Sequence, residues 1–357
     1  MEDIKKTICI FSQTLLAGGA EKQLCLLAKA LANTQNVFVI IYYGEKVDQK
    51  FEKILLKNEV EIIYLKGNVI SKLRAIYKIL TQKKVEILFS YLLLPSLIGG
   101  ILGKISGVKT TFGGIRSSKI VPKKVLLNKI AQNWLNTRTI YNNDLGLNTY
   151  SEQGFDPNKA IVIQNCLEII PEKITREKKE QVTIVSVGRF HEAKDYLTAL
   201  KSIQLLERKN LDFKYQIVGY GHLENSIRNW IKELNLSDRV EVIINPNNLA
   251  EIYTEADIYF MTSIFEGLPN TVLEAMSFSL PIISTDVGDI RNILGNNKND
   301  LIAPVTDTLQ LANKLELLLN DYQKRLNIGL QNHSLVQSNF SFSKFKENHL
   351  DLINSLT

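Results

Sequence analysis

The chain has 357 residues, 45% of them apolar, a net charge of +6 and only three cysteines. That length exceeds one ordinary core and suits two domains. Cys9, Cys25 and Cys166 form no close pair, which argues against a disulfide framework and a zinc site and for a reducing compartment. The N-terminal MEDIKKTICIF has too short an apolar run for a signal peptide, so a cytoplasmic location is expected.

In chain order, short apolar runs predict strands over 7–11, 37–42, 61–65, 86–90, 110–112, 139–141 and 161–163, with the clearest helices over 20–33 and 71–83. Residues 87–103 carry no charge and approach the length of a membrane span. Pro95 and the glycines at 99, 100 and 103 interrupt them, and they read as a buried strand, a loop and a packed helix from about residue 96. A second series of strands follows over 183–187, 215–218, 240–243, 258–261 and 282–284. Strands alternating with helices imply parallel sheets covered on both faces. The expected fold class is α/β, with two Rossmann-like parallel-sheet domains facing a cleft that takes the ligand. Residues 1–166 form the first domain. Residues 167–181, charged and holding Pro171, read as a linker, and 182–340 form the second domain. A final helix over 341–357 is expected to pack toward the first domain.

Charge divides along the chain. Residues 1–170 hold 23 Lys/Arg against 13 Asp/Glu, and the remainder 20 against 24. Between Glu61 and Asp144 the single acidic residue is Glu86, against fourteen Lys/Arg. Such a surface attracts phosphoryl groups, acidic lipids or nucleic acid, and no nucleic-acid-binding motif accompanies it. Two stretches combine lysines with an apolar stripe: Leu73, Ile76, Tyr77 and Leu80 beside Lys72, Lys78, Lys83 and Lys84, and Leu126, Leu127, Ile130 and Trp134 after Pro122 beside Lys123, Lys124 and Lys129. Both stripes read first as sheet-facing, which leaves the lysines free to meet an anionic membrane surface.

The densest block is FEGLPNTVLEAM, residues 265–276, in which seven residues separate Glu266 from Glu274. It follows an apolar run and precedes a helical one, so it reads as strand, tight loop and helix start. A helix N-terminus offers unpaired N–H groups to a phosphate. Gly267, Leu268, Pro269, Asn270, Thr271 and Val272 are its candidate donor-binding residues, with Glu274 one turn in. Glu274 has two readings that stay open here: a ribose contact, or the closing member of a capping box opened by Thr271.

This block, VGRFHEAKD at 187–195 and LAGGAEKQL at 16–24 resemble, in order and spacing, the signature of the retaining glycosyltransferase family four, whose fold is GT-B. The resemblance implies a glycosyltransferase that moves a hexose from a nucleotide-diphosphate sugar, a UDP-sugar first, with retention and without a metal or cofactor. It implies a glycan or polyprenyl-diphosphate-linked acceptor, bacterial surface-polysaccharide synthesis, and a peripheral place on the inner face of the cell membrane. Arg189 and Lys194 then neutralise the leaving diphosphate, Glu266 meets the donor sugar, and Glu274 binds ribose. Gly18 and Gly19 admit the backbone to phosphates. Gly219, with Gly221 in IVGYGH, and Asn245 lie near the nucleotide, although Asn245-Pro246 departs from the family's Leu-Gly. The histidine that many members carry in the first domain is absent; Arg116, in TFGGIRSSK, stands in that region, and its readings stay open: a contact to donor phosphate or acceptor, or equally a surface-loop arginine. Two other functions share the pattern: a nucleotide-sugar epimerase and a non-catalytic nucleotide-sugar-binding protein.

Overall fold

The computed structural model describes residues 5–356 except 17, 117–119, 208, 210 and 296–297. The chain divides into two compact units, Met1–Glu168 with Phe342–Thr357, and Ile169–Ser341.

The first unit holds seven parallel strands: β1 Thr7–Ser12, β2 Asn36–Ile41, β3 Glu61–Tyr64, β4 Ile87–Ser90, β5 Thr110–Ile115, β6 Arg138–Tyr141 and β7 Ala160–Val162, ordered β3-β2-β1-β4-β5-β6-β7. The second holds six: β8 Val182–Arg189, β9 Phe213–Tyr220, β10 Val240–Ile244, β11 Ile258–Met261, β12 Ile282–Thr285 and β13 Ile302–Ala303, ordered β10-β9-β8-β11-β12-β13. Both sheets follow the doubly wound order in which the chain reverses its direction of spread beside the first strand. Strands such as β4 (ILFS) and β11 (IYFM) are buried throughout, as expected where helices cover both faces of a parallel sheet. The reversal lies between β1 and β4 in the first unit and between β8 and β11 in the second. At such a point the loops leaving neighbouring strand ends diverge and open a crevice.

The uncharged run over 87–103 resolves into β4 and the helix Leu93–Ile105. Among the described residues no helix is long and apolar enough to cross a membrane. The two basic amphipathic stretches part company. In Val69–Gln82, Ile76 and Leu80 are buried, and so is Lys72, whose Nζ donates to the Tyr42 carbonyl at 2.7 Å and lies over the Tyr42 and Tyr43 rings. In Pro122–Ile130 and the turn after it, the stripe faces outward: Leu126 is 64% exposed and Trp134 59%. The expectation that this second stripe faces the sheet is therefore corrected. Burial of the helix falls instead on polar Asn128, whose side-chain amide donates to the Lys124 carbonyl.

Residues 169–181 carry no helix or strand, yet Arg176 fastens them to the second unit by donating to the carbonyls of Tyr253, Ala256, Phe278 and Ser279 at 2.6–3.0 Å. The helix Phe342–Asn354 places Phe345, Leu352 and Ile353 in the core of the first unit.

Candidate active site

At the β8/β11 reversal the chain leaves β8 at Arg189, which is exposed, and turns through Glu192–Lys194. The His191 ring accepts from the Ala193 N–H, and Asp195 takes a left-handed φ of 47°. The loop after β11 is stapled to this turn: the Thr262 hydroxyl meets the carbonyls of Lys194 (2.9 Å) and Asp195 (3.0 Å), and the Ile264 N–H donates to Ala193 at 2.8 Å. The result is an ion pair between Lys194 Nζ and Glu266 Oε1 at 2.6 Å, both side chains about four-fifths buried. The buried Ser263 hydroxyl donates to the same carboxylate oxygen at 2.8 Å. An ammonium has three N–H donors, and this bond uses one.

Gly267 and Gly288 hold the carboxylate's loop in place. Gly288 has φ +55°, and a Cβ there would come within 2.3 Å of the Gly267 carbonyl oxygen. The Asp289 N–H donates to that same carbonyl at 3.1 Å. Leu268, Pro269 and Val272 turn their side chains into the unit's interior, so only their backbone can meet a ligand. The helix Asn270–Ser277 has Pro269 at its N-cap and no side-chain cap. Thr271 lies inside the helix, with its Oγ1 2.8 Å from the Tyr259 hydroxyl. The capping-box reading is therefore corrected: Thr271 lies two residues past the N-cap, too far into the helix to cap it. The Glu274 carboxylate accepts from the Tyr253 hydroxyl at 3.4 Å. Burial, with Glu274 adding to it, holds the Tyr253 pKa well above its ordinary range, so the hydroxyl stays a donor.

Gly219, next to last in β9, lies opposite Gly188, where a Cβ would lie 1.9 Å from the Gly188 carbonyl oxygen. Its need for glycine is thus met by strand packing alone. Asn245 follows β10 in a left-handed conformation, and its N–H donates to the Gly219 carbonyl at 3.2 Å. Asparagine tolerates that region better than most residues.

The remaining candidates lie in the first unit. Gly18 caps the helix Gly19–Ala32, and the Glu21 carboxylate folds over that helix start while accepting from the Thr14 hydroxyl at 3.0 Å. Arg116 follows β5. Its guanidinium lies 4.1 Å from the Tyr91 ring centroid and donates through Nη1 to Asn165 Oδ1 at 3.1 Å. Its Nε and Nη2 are buried without a hydrogen-bond partner, and burial lowers its pKa. Arg116 lines a 590 Å³ cavity that also takes in Gln13 after β1 and Leu92 after β4, at the first unit's own reversal. Leu92 holds φ +72°, an uncommon conformation for a branched side chain.

Sequence reasoning missed Ser263, Thr262 and Gly288 as supports of Glu266. Only Gly288 left a signal, as the glycine in the turn after β12; the two hydroxyls belong to residue types found in any loop.

Residues 170–333 match the model of the family glycosyl transferases group 1. That match takes in most of the second unit. The chain's neighbours in sequence include an uncharacterized glycosyltransferase of Haemophilus influenzae, 30% identical over 200 residues, which are 56% of either chain. The chain thus spans about half the length of that relative. A second relative matches more fully: the UDP-Gal:alpha-D-GlcNAc-diphosphoundecaprenol alpha-1,3-galactosyltransferase of Escherichia coli is 24% identical over 340 residues, 87% of this chain and 86% of that one. The crystal structure of Anabaena HepE in complex with UDP superposes with a TM-score of 0.85 over 99% of this chain and 100% of that one, at 14% identity. That likeness concerns the fold, which is GT-B: a group 1 unit joined to a second parallel-sheet unit.

Proposed function

We propose that the protein is a glycosyltransferase that moves a sugar, with retention and without a metal, from a UDP-sugar to a lipid-linked glycan in bacterial surface-polysaccharide assembly. The observation that carries this is the Lys194–Glu266 pair, held at the β8/β11 reversal inside the group 1 region. The E. coli relative, which by name takes UDP-Gal and a diphosphoundecaprenol-linked sugar, supports the donor and acceptor classes.

In this reading the bond from the sugar's anomeric carbon to the diphosphate breaks, and negative charge grows on the leaving oxygen. Arg189 and the two remaining N–H donors of Lys194 stabilise it. Glu266 binds sugar hydroxyls and offsets positive charge at the anomeric carbon. The acceptor hydroxyl attacks from the leaving group's own face and passes its proton to a donor phosphate oxygen, which needs no protein base. Glu274 accepts from ribose hydroxyls. The exposed Leu126 and Trp134 with Lys123 and Lys124 form a face suited to an anionic bilayer surface, where a lipid-linked acceptor resides. Lys119, a further lysine just before this helix in the sequence and a candidate for the same membrane contact, lies outside the described residues.

A thermal-shift screen of UDP-sugars tests the donor: ligand at 100 times its Kd adds about 2.7 kcal/mol of stability. The matching UDP-sugar should then release UDP only when a lipid-diphosphate glycan is added, and NMR of the product should show the donor's anomeric configuration. No shift with any nucleotide sugar, together with no acceptor-dependent release, would sink the reading.

A further inference from the structure

We propose that the cavity beside Arg116 holds the prenyl diphosphate end of the acceptor, with the diphosphate on Arg116 and the first carbons of the lipid against the cavity's aliphatic wall. This rests on the lipid-linked acceptor argued above and adds the site that recognises it.

Three observations converge. The cavity, at 590 Å³, is walled by Leu93, Leu97, Ile115, Ile120, Val121 and Leu127, and no acidic side chain lines it among the described residues. A size of this order is that of a small-molecule site. Into this apolar wall is set a guanidinium whose Nε and Nη2 are buried and unpartnered, braced by the Tyr91 ring and the Asn165 side chain. A buried cation without an anion is costly, and the adjacent pair of donors on guanidinium matches two oxygens of a phosphate. Lys124, also lining the cavity, supplies a second cation.

The pairing decides the ligand's class. A free phosphate uses the cations and leaves the aliphatic wall bare. A fatty acid covers the wall but brings one charge to two cations. A lipid diphosphate meets both. Val121 and Leu127 line the cavity and are also exposed, so the wall continues onto the outward-facing apolar stripe and gives the rest of the chain a way out.

Calorimetric titration of the full chain with farnesyl diphosphate, farnesol and inorganic pyrophosphate tests the assignment. Farnesyl diphosphate should bind at least ten-fold more tightly than either fragment, and UDP should not displace it. Arg116→Gln should weaken farnesyl diphosphate at least ten-fold without lowering the melting temperature, since it removes an uncompensated buried charge; a merely structural arginine would lower it. Leu127→Gln, at a half-exposed position, should weaken farnesyl diphosphate while leaving pyrophosphate unchanged, which keeps the test open should the arginine variant fail to fold. Equal binding of pyrophosphate, equal binding of farnesol, displacement by UDP, or no binding at all overturns the proposal, as does a pair of variants that both bind as wild type. Failure of the functional reading looks different: no UDP-sugar stabilises the protein. If only the present inference fails, UDP-sugar still stabilises it, and Arg116→Gln uses a lipid-diphosphate acceptor with an unchanged KM.

Discussion

The two sheets share a strand order, but the crevices at their reversals are chemical opposites. Between β8 and β11 the buried charges answer each other: Lys194 meets Glu266, Ser263 supports the carboxylate, and Thr262 ties the two loops together. In the cavity that reaches the β1/β4 reversal, the guanidinium of Arg116 stands in an aliphatic wall with two of its nitrogens unanswered. A closed polar network keeps its geometry whether or not a ligand is bound, which suits chemistry that depends on placement. An open one gains its missing partner only on binding, which suits recognition of an anion. Under the proposals above, one topology would serve two tasks, and the side chains at the reversal would divide them.

The comparison breaks most sharply at Lys194. Replacing both Arg189 and Lys194 with alanine removes two charge-assisted contacts worth roughly 1.5–3 kcal/mol each, so transfer should fall by about 10²–10⁴. Wild-type kinetics in that double variant would falsify the assignment of the diphosphate to these cations. Glu266→Gln should lower kcat by roughly ten- to a hundred-fold while UDP binding by calorimetry stays intact, because its partner is the sugar. A matching loss of UDP affinity would move Glu266 to the nucleotide. Gly288→Ala puts a Cβ against the Gly267 carbonyl at a left-handed φ, so it should cost about 1–3 kcal/mol by thermal melting and reduce turnover with it. Full activity there would mean that the Glu266 loop is not held from beneath.

Acid separates the units. His349, buried in the first unit, is held neutral by burial, its pKa lowered to about 4. Unfolded, it titrates near 6.5. As pH falls below that value the unfolded chain takes up a proton that the folded one refuses, so the first unit should lose roughly 3 kcal/mol between pH 6.5 and 4. His349→Met should flatten that slope in denaturant titrations, and an unchanged slope would place the acid sensitivity elsewhere. The smallest effect is expected at Glu274→Gln: UDP affinity down about ten-fold with the melting temperature unmoved, since Glu274 closes no capping box.

The inner strands were legible because a parallel sheet buries both of their faces, and the run of apolar residues needs no partner to be recognised; the predicted run over 258–261 is β11 itself. β13, two residues long, leaves no such run. The pairing of Lys194 with Glu266 was not legible as a contact, because it joins loops 72 positions apart through hydroxyls and backbone. The two basic stripes show the limit best. Val69–Gln82 and Pro122–Ile130 carry the same mixture of lysine and leucine or isoleucine, yet one buries Ile76, Leu80 and even a lysine, leaving Tyr77 outside, while the other leaves leucine and tryptophan in the open. Which face a helix hides is set by the surface it meets, and that surface is made by residues distant in sequence. Arg176 is a further case: four backbone carbonyls from three places in the chain converge on it, and no local pattern announces them.

The first unit is not continuous in the chain. It runs to Glu168 and resumes at Phe342. On a ribosome, its sheet emerges well before the helix that supplies Phe345, Leu352 and Ile353 to its core, and the whole second unit is synthesised in the interval. The early-made half must therefore wait with an apolar groove uncovered, open to chaperones. A premature stop after Ser341 would leave the group 1 unit whole and strand its companion in that unfinished state.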